Sequence, residues 1–320
     1  MPGIKKTALI IALLFVSSET TFAIDTPFNF LRYVKSARAA GLSGAFMTVT
    51  DDPTAVFFNP ATLSTVETKQ ASATFLKHVL DINSGNLNYV HKLNGTGTIG
   101  ANIGFTSYGS FEYADYNGNR TGGTFGANDL SIGVSYSDEL DSNFYYGVTL
   151  KYIYVGIEQV STSAMAVDAG LLYKLPDGRT NLGVSVLHAG TQLSQISNQK
   201  ESLPLDLRMG VNHRLRGLPL LFNFTFHHLA DDNESFFDKF KSFTIGGEFY
   251  FGEVLQVRLG YDNQVRLLTS AESDKGLTGF SGGLGFVFDD FNFDYGFSRY
   301  GSNANLHRFS VSLNVNNLIN

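Results

Sequence analysis

The sequence predicts an all-β fold, a fourteen-stranded antiparallel transmembrane β-barrel with an N-terminal plug segment. Three observations lead to this prediction. The chain opens with an export signal, apolar and polar residues alternate through fourteen runs, and the connections between the runs are mostly long and short in turn. The composition agrees, because 13% of the residues are aromatic and 33 are glycine, while only 16% are charged. Ordinary soluble domains carry about 25% charged residues.

The first residues have the three parts of a secretory signal. A basic start precedes an uninterrupted apolar run at 8–16, and small residues, Thr21 and Ala23, occupy the two positions that a signal peptidase inspects. We therefore predict a signal peptide at 1–23, which is too short to span a membrane. The alternative is a buried helix of the mature fold.

Charge and cysteine content narrow the class of protein further. The net charge is −6, and removal of the signal, with its two lysines and one glutamate, would take it to −7. An acidic chain without a basic stripe is poorly suited to nucleic acid. The sequence has no cysteine, so neither a disulfide nor a lipidated N-terminal cysteine is available. No other apolar run reaches the ~18 residues that a transmembrane helix needs.

The strands are predicted from a period of two residues. In the run TIGANIGF, for example, Ile99, Ala101, Ile103 and Phe105 share one face, because successive side chains of a strand point to opposite faces. Most runs approach the ~9–11 residues of a tilted membrane strand. The fourteen predicted strands are 70–80, 86–93, 96–106, 127–136, 143–155, 164–173, 180–189, 207–215, 220–228, 241–251, 254–263, 277–288, 290–300 and 305–317.

The connections between successive predicted strands are mostly long and short in alternation. Five of the odd-numbered ones are long, and the even-numbered ones are short; only the first and last odd connections depart from this. Outer-membrane barrels have long outer loops and tight periplasmic turns, and an even strand count places both chain ends in the periplasm. A soluble pair of sandwiches would also alternate, but it gives no reason for this sorting. The long connections are 107–126, 156–163, 190–206, 229–240 and 264–276.

The stretch before the first strand is rich in small residues, and we interpret 24–68 as a plug inside the barrel at 69–320. About eight strands already close on a filled interior, so fourteen leave space. We expect a short helix at 37–46 capped by Ser36, since a serine oxygen can satisfy free N–H groups at a helix start. Arg38 is expected to pair with Asp51 or Asp52, which belong to the turn before Pro53.

The sequence gives no sign of catalysis, and we predict no enzyme, no cofactor and no metal. The seven histidines form no His-x-x-x-His pair. His227 and His228 are adjacent in a predicted strand, so we expect them to face opposite sides.

Aromatic residues in two long loops are candidates for partner contact, because tyrosine and phenylalanine are enriched at protein interfaces. The alternative is that they belong to the outer aromatic girdle or fold over the barrel mouth. The candidates are Phe111, Tyr113, Tyr116, Phe236, Phe237 and Phe240.

The stretch FLRYVKSARAAGLSGAF…DDPTAVFFNPATL resembles the N-terminal signature of the PorV/PorQ family, relatives of the FadL-like fatty-acid transporter barrels. Later segments, including ESLPLDLRMGVNHRL, FNFTFHHLAD and HRFSVSLNV, resemble the shorter PorQ branch in order and spacing. Two features depart from the family pattern: Leu42-Ser43-Gly44 in place of Leu-Gly-Gly, and a chain end without an aromatic residue. The plug motif that we carry over comprises Ser36, Ala37, Arg38, Gly41, Gly44, Asp51, Asp52, Asn59 and Pro60.

The resemblance implies a bacterial outer-membrane component of the type IX secretion system. It implies a protein that holds a PorZ-like surface protein, together with PorU-like and PorV-like proteins, in the complex that processes secreted cargo and attaches it to the cell surface. Outer-membrane lipid would surround the barrel. The alternative function is a FadL-like transporter of hydrophobic small molecules, and a general diffusion pore is a third reading that a plug argues against.

Overall fold

The computed structural model describes residues 26–78, 82–93, 95–195, 200–232, 235–269, 276–301 and 304–315. The predicted signal peptide at 1–23 and the last residues, 316–320, lie outside the described residues.

All fourteen predicted strands are present, and the barrel prediction is confirmed. The strands are β1 Gln70–Lys77, β2 Asn83–Lys92, β3 Thr98–Ala114, β4 Arg120–Asp141, β5 Phe144–Ile157, β6 Val160–Lys174, β7 Thr180–Ser194, β8 Asp206–Arg214, β9 Leu220–Phe226, β10 Phe243–Phe251, β11 Leu255–Asp262, β12 Phe280–Phe288, β13 Phe291–Arg299 and β14 Asn305–Asn314.

Each strand pairs antiparallel with its neighbours in the sequence, and β14 returns to β1 to close the ring. The closing register runs from Gln70 opposite Asn314 to Lys77 opposite His307. Closure matters because it leaves no strand edge within the ring unpaired, which a hydrocarbon environment requires. In the described part of the chain, no helix combines the length and the apolar character needed to cross a membrane.

The two faces of the barrel wall differ as the alternation predicts. Large apolar side chains such as Leu87, Val134 and Leu259 are 55%, 62% and 60% exposed. Their neighbours along the strands, including Asn88, Ser135 and Arg258, are buried. The apolar face therefore points outward to the membrane, and the polar face points into the barrel.

The predicted loop at 107–126 is wrong in its secondary structure. β3 and β4 continue to Ala114 and Arg120, and beyond Ser107 and Ala127 they pair only with each other. The result is a two-stranded ribbon that rises from the ring by about 20 Å, at ~3.3 Å per residue. Apolar and polar residues alternate only weakly in this stretch, because glycine and further polar residues interrupt the pattern. The two-residue period therefore did not predict strands here.

The N-terminal segment, residues 26–68, is built from short helical turns. It contains one α-helix, α1 at Ala37–Gly41, and three 3₁₀ helices at Asn29–Arg32, Pro53–Phe57 and Pro60–Thr65. A second α-helix, α2, lies between β11 and β12 at Asn263–Thr269. The expected helix at 37–46 is thus shorter. It ends at Gly41 because Ser43 and Gly44 adopt left-handed backbone, with φ of 53° and 81°, and the Gly44 N–H closes the end on Ala39 O at 2.8 Å.

The N-terminal segment lies against the inner face of the barrel. Phe28, Phe30 and Leu31 form a buried cluster with wall residues that include Ile153 and Ala166. A second cluster, in which Val56 and Leu63 meet Val90 of β2, forms nearer the end of the segment. Apolar contact therefore joins the segment to several strands, while Leu42, Phe46 and Phe58 belong to a small core of its own.

Glycines in the wall make this close approach possible. A methyl group built on Gly147 would overlap Pro60, and one on Gly296 would overlap the carbonyl of Ala37. On β10, a Cβ at Gly246 would lie 2.9 Å from Leu42 Cβ. The next residue, Gly247, faces outward, where a Cβ would meet only the ends of the Leu220 and Phe249 side chains.

We predict that Gly246→Val weakens the seating of the N-terminal segment by about 1–3 kcal/mol, because the added methyl groups overpack the contact with Leu42. Gly247→Val is the matched control, one residue away on the opposite face. Limited trypsin digestion in detergent should release the segment faster from Gly246→Val than from the control, while both barrels keep their folded electrophoretic mobility. Equal digestion rates would contradict the close packing of the segment on β10.

Candidate functional site

The motif Ser36-Ala37-Arg38 starts α1 and fastens it to the wall. The Ser36 hydroxyl accepts a hydrogen bond from Ala39 N at 3.1 Å, so the predicted cap is confirmed. The Ala37 N–H donates to Ser310 Oγ of β14 at 2.9 Å. One end of the helix is thereby satisfied partly by its own cap and partly by the barrel.

Arg38 connects the segment to a buried charge network. Its Nε and one terminal nitrogen donate to the two carboxylate oxygens of Glu248 at 2.9 and 2.7 Å. Its other terminal nitrogen donates to Asp52 Oδ2 at 3.0 Å. Of the two acids expected to pair with Arg38, the structure therefore selects Asp52.

The same carboxylate of Glu248 also receives a wall arginine. Arg258 of β11 donates from Nε to Glu248 Oε1 at 2.6 Å and from a terminal nitrogen to Asp294 Oδ1 at 2.6 Å. The side chains of Glu248 and Arg258 are both 0% exposed. Two guanidinium groups, one from the segment and one from the wall, thus share a carboxylate shielded from water, where charge-assisted hydrogen bonds are strongest.

The two Asx-Pro turns of the motif also have defined contacts. Asp52 accepts from Thr54 N at 2.8 Å and starts the 3₁₀ helix at Pro53. Asn59 accepts from Ala61 N at 3.0 Å, starts the helix at Pro60, and donates to Leu171 O of β6 at 3.0 Å. Each residue therefore caps a turn and, in the case of Asn59, also holds the wall.

The remaining motif residues set the path of the backbone. Gly41 lies against β12, where a Cβ would come within 3.1 Å of Gly283 Cα. Gly44 and Asp51 have positive φ, 81° and 57°. Asp51 is exposed, and its N–H donates to Thr65 Oγ1 at 2.9 Å. The structure thus brings the nine motif residues together in one segment seated on the wall.

The first group of loop aromatics lies on the ribbon of β3 and β4. Phe111 and Tyr113 are on β3 itself, with ring centroids 5.3 and 5.2 Å from Phe125 on β4. Tyr113 is half-buried and donates from its hydroxyl to Glu158 at 2.8 Å. Tyr116, in the turn, is fully exposed.

The second group lies on a 3₁₀ helix at Phe236–Lys241, between β9 and β10. Phe236 and Phe237 are 69% and 77% exposed. Phe240 packs edge-on against Phe226 of β9 at 5.3 Å, so it partly follows the alternative of folding onto the barrel. The two aromatic groups occupy different connections at the end of the barrel that carries the long loops.

The expectation that His227 and His228 face opposite sides is wrong. Both follow the end of β9, and His228 has φ of 55°, which turns its ring back toward His227. Their Nδ1 atoms are 3.2 Å apart. Among the described residues, no three His, Cys, Asp or Glu side chains are grouped so that they could hold a metal ion.

Sequence reasoning missed a cavity of about 210 Å³ between the N-terminal segment and the wall, lined in part by this histidine pair. Its polar residues are scattered along the chain, from Arg32 to Tyr300. The available signal was the presence of Lys151 and Arg208 on the inward faces of β5 and β8, where most neighbours are small or neutral.

The comparisons with known proteins agree with the barrel. The sequence matches the family described as type IX secretion system protein PorV over residues 16–213. A FadL homologue of Pseudomonas aeruginosa superposes with a TM-score of 0.55 at 11% identity, covering 92% of this chain and 100% of that chain. The toluene transporter TodX of Pseudomonas putida gives 0.57 at 14% identity, covering 92% and 98%. At these identities the structures show a shared fold. The sequence has no match among curated proteins.

We predict that Arg38→Ala destabilises the protein by about 3 kcal/mol, because it leaves buried carboxylates without one of their cations. Arg120→Ala is the control, since Arg120 pairs with Glu112 on the surface with 79% of its side chain exposed, and such pairs contribute about 0–1 kcal/mol. Thermal unfolding of the purified protein in detergent measures both. Arg38→Lys should recover only part of the loss, because an ammonium cannot bind Glu248 through two parallel hydrogen bonds. A loss no larger for Arg38→Ala than for Arg120→Ala would contradict the anchoring role.

Proposed function

We infer that this chain, which belongs to the PorV family of type IX secretion system proteins, holds a partner protein of that system at the cell surface. The chain is a non-enzymatic outer-membrane barrel, as its family and its closed fourteen-stranded ring indicate. The finer assignment is to the PorQ branch, and it rests on the sequence resemblance. On this assignment the partner is a PorZ-like surface protein, acting with PorU-like and PorV-like proteins in the processing and attachment of secreted cargo.

The observation that carries the proposal is the set of exposed aromatic side chains on the long-loop end. Tyr116, Phe236 and Phe237 are among the most exposed large side chains of the described residues, and they lie beyond the ring. Exposed aromatic groups rimmed by polar residues are typical of surfaces that bind proteins. The apolar residues of the strands, by contrast, face the membrane and need no protein partner.

We further propose that residues 24–68 act as a plug. Support comes from the contacts of the described part with the inner wall, which include the Arg38–Glu248 pair and the hydrogen bond from Ser185 Oγ to Phe58 O at 2.7 Å. A plugged lumen favours a partner-holding role over a general diffusion pore. Planar-bilayer recordings test this directly, since an open pore would conduct ions.

The second candidate function is transport of hydrophobic small molecules. One observation favours it: the register between β6 and β7 shifts at Val167/Ala169, where His188 takes φ of 62° and bulges beside the cavity. A bulge interrupts the hydrogen-bonded ladder between two strands, so a lateral opening there would break fewer hydrogen bonds. In this structure, however, Leu187 and His188 are 0% and 3% exposed, so the wall is closed at that point.

We expect the tagged protein, purified from solubilised outer membranes of its own host, to bring down a large PorZ-like surface protein that mass spectrometry identifies. The triple variant Tyr116→Ala, Phe236→Ala, Phe237→Ala should lower the recovery of this partner about tenfold or more, since buried aromatic anchors contribute about 2 kcal/mol or more each. Leu140→Ala is the control, because Leu140 is similarly apolar and 42% exposed but lies at the short-turn end of β4.

Three outcomes separate the candidates. Recovery of the partner with wild type and Leu140→Ala, but not with the triple variant, supports the holding role. Intact cargo cleavage and surface attachment in a deletion strain would refute it. Recovery of the barrel alone with bound lipid, together with loss of uptake in the deletion strain, would instead support transport.

A further inference from the structure

A second cavity, of about 480 Å³, lies at the short-turn end of the barrel. Its lining comes from the ends of strands β6 to β13 that meet at short connections, and from the N-terminal segment, which contributes Arg38 and residues 49–51. In an outer-membrane barrel the short turns face the periplasm. We therefore call this space the periplasmic mouth.

Three basic residues of the lining lie close together on neighbouring strands. Lys174, the last residue of β6, pairs with Asn181 of β7, which in turn pairs with Asn212 of β8. Arg179 directly precedes β7 and Arg214 ends β8, and Arg214 N donates to Arg179 O at 2.9 Å. Neighbouring strands lie about 4.8 Å apart, so these backbone positions form a patch about 10 Å wide.

The basic patch faces the inside of the barrel. Asn181 and Asn212 both donate from Nδ2 to Thr48 O of the N-terminal segment, at 3.2 and 2.7 Å, so their side chains point inward. Side chains alternate along a strand, so Arg179 and Arg214, each two residues away, share that face. Membrane lipid contacts the opposite, apolar face of the wall. An occupant of the periplasmic mouth therefore comes from the periplasm and not from the bilayer.

The positive charge of the patch is not balanced within the described residues. Lys174, Arg179 and Arg214 form no ion pair there. Asp177 instead accepts from the backbone of its own turn, from Arg179 N at 2.9 Å and from Thr180 N at 3.0 Å. Like charges side by side on paired strands are destabilising, and an anion between them would reverse this effect.

The other charges near the periplasmic mouth do not cancel this patch. Arg38 is already held by Glu248 and Asp52. Among the described lining residues, Asp51 supplies the one carboxylate, and it belongs to the N-terminal segment. Carboxylates of other short turns, such as Glu253, lie outside the lining. The periplasmic mouth thus carries an excess of positive charge in a chain whose net charge is −6.

Aromatic rings position two of the cations. The Arg214 guanidinium lies over the Tyr250 ring, with its central carbon 4.7 Å from the ring centroid. Lys174 Nζ lies 5.3 Å from the centroid of the Tyr145 ring. A guanidinium whose face is held by a ring keeps the N–H groups at its edge available. Such a group can bind a carboxylate through two parallel hydrogen bonds.

One acceptor in the lining is also unsatisfied. Asn212 is 1% exposed, and its Oδ1 has no hydrogen-bond partner among the described residues, although its Nδ2 donates to Thr48 O. A buried polar group without a partner calls for an explanation. An isolated carboxylate only accepts hydrogen bonds, whereas a peptide also offers a backbone N–H at each residue other than proline. The cations and the free acceptor together therefore favour a peptide with acidic side chains.

We propose that the periplasmic mouth binds an acidic peptide segment of a periplasmic protein, with its carboxylates on Lys174, Arg179 and Arg214. A backbone N–H of the same segment would satisfy Asn212. A volume of about 480 Å³ equals roughly sixteen water molecules at about 30 Å³ each, which admits a short extended segment and excludes a folded domain. The site lies at the opposite end of the barrel from the exposed aromatic residues, so it is independent of the proposed surface partner.

The test titrates the purified full-length protein, in a neutral detergent, with hexaglutamate that is acetylated and amidated at its ends. Hexaglutamine with the same ends is the uncharged control peptide. Calorimetry should show saturable binding of hexaglutamate, at least about tenfold tighter than that of hexaglutamine. Raising the salt concentration from about 0.05 to about 0.5 M should weaken hexaglutamate binding at least about tenfold, because salt screens exposed charges.

The double variant Arg179→Gln, Arg214→Gln should weaken hexaglutamate binding at least about tenfold. It is expected to fold, because the change breaks no ion pair among the described residues and removes a repulsion. The control is the double variant Lys92→Gln, Arg216→Gln. It removes the same charge from exposed positions at the short-turn end that lie outside the lining, and it should change the affinity less than about twofold.

Equal affinity for the two peptides would overturn the proposal. Equal losses in the two double variants would also overturn it, since they would indicate attraction to net charge alone. Glycerophosphoglycerol or inorganic phosphate binding as tightly as hexaglutamate would overturn it in favour of a lipid headgroup or a free anion. If the arginine variant does not fold, Lys174→Gln takes its place, and an unchanged hexaglutamate affinity in that variant would contradict the proposal.

Discussion

The width of a fourteen-stranded ring is the constraint on which most of this structure depends. Such a ring encloses more space than its own inward side chains occupy, and the described inner wall carries many glycines and small polar residues. The N-terminal segment uses that space. Gly147, Gly170, Gly260 and Gly296 each lie against it so closely that a methyl group would overlap its atoms. Glycine weakens a strand by roughly 0.5–1 kcal/mol relative to alanine, so its use here is explained by the segment that packs on it.

The Arg38–Glu248–Arg258 network has a different role from the apolar contacts. A buried ion pair often contributes little net stability, because each charge loses its water. What it does contribute is position: Arg38 can reach Glu248 of β10 and Asp52 together only if α1 sits on β12 and β13 and the Pro53 turn folds back beside it. The apolar clusters around Phe28 and Leu63 tolerate small shifts of the segment, whereas the charge network does not. Specific placement and the bulk of the contact area thus come from different residues.

Most of the fold, and only part of the site, could be predicted from the sequence, for physical reasons that differ by element. In a strand with one exposed face, apolar residues recur at every second position, so strands such as the run 305–317 can be predicted from the local sequence. The ribbon of β3 and β4 could not be predicted in this way, because both of its faces are exposed to water and no apolar face recurs from Glu112 to Gly123. The Ser36 cap and the Arg38–Asp52 pair are separated by few residues and could be expected. The pairing of Arg38 with Glu248 spans 210 residues, and the cavity gathers residues from seven strands and the segment. Contacts of that kind depend on the register of the closed ring, which no local pattern contains.

The ribbon also constrains how a partner can bind there. Strands that pair only with each other expose two edges, and such edges invite added strands from other chains. Here Gly122 and Gly123 have φ of 82° and 85°, outside the range of an extended strand, and Glu112 and Arg120 place a charge pair near the tip. These features disrupt the edge of β4 as a template for backbone pairing. The rings of Phe111 and Tyr113, each in contact with Phe125, instead present a preformed aromatic surface. Recognition of the proposed partner through side chains therefore fits the ribbon better than strand addition does, and it requires no change in the closed hydrogen-bonding of the barrel.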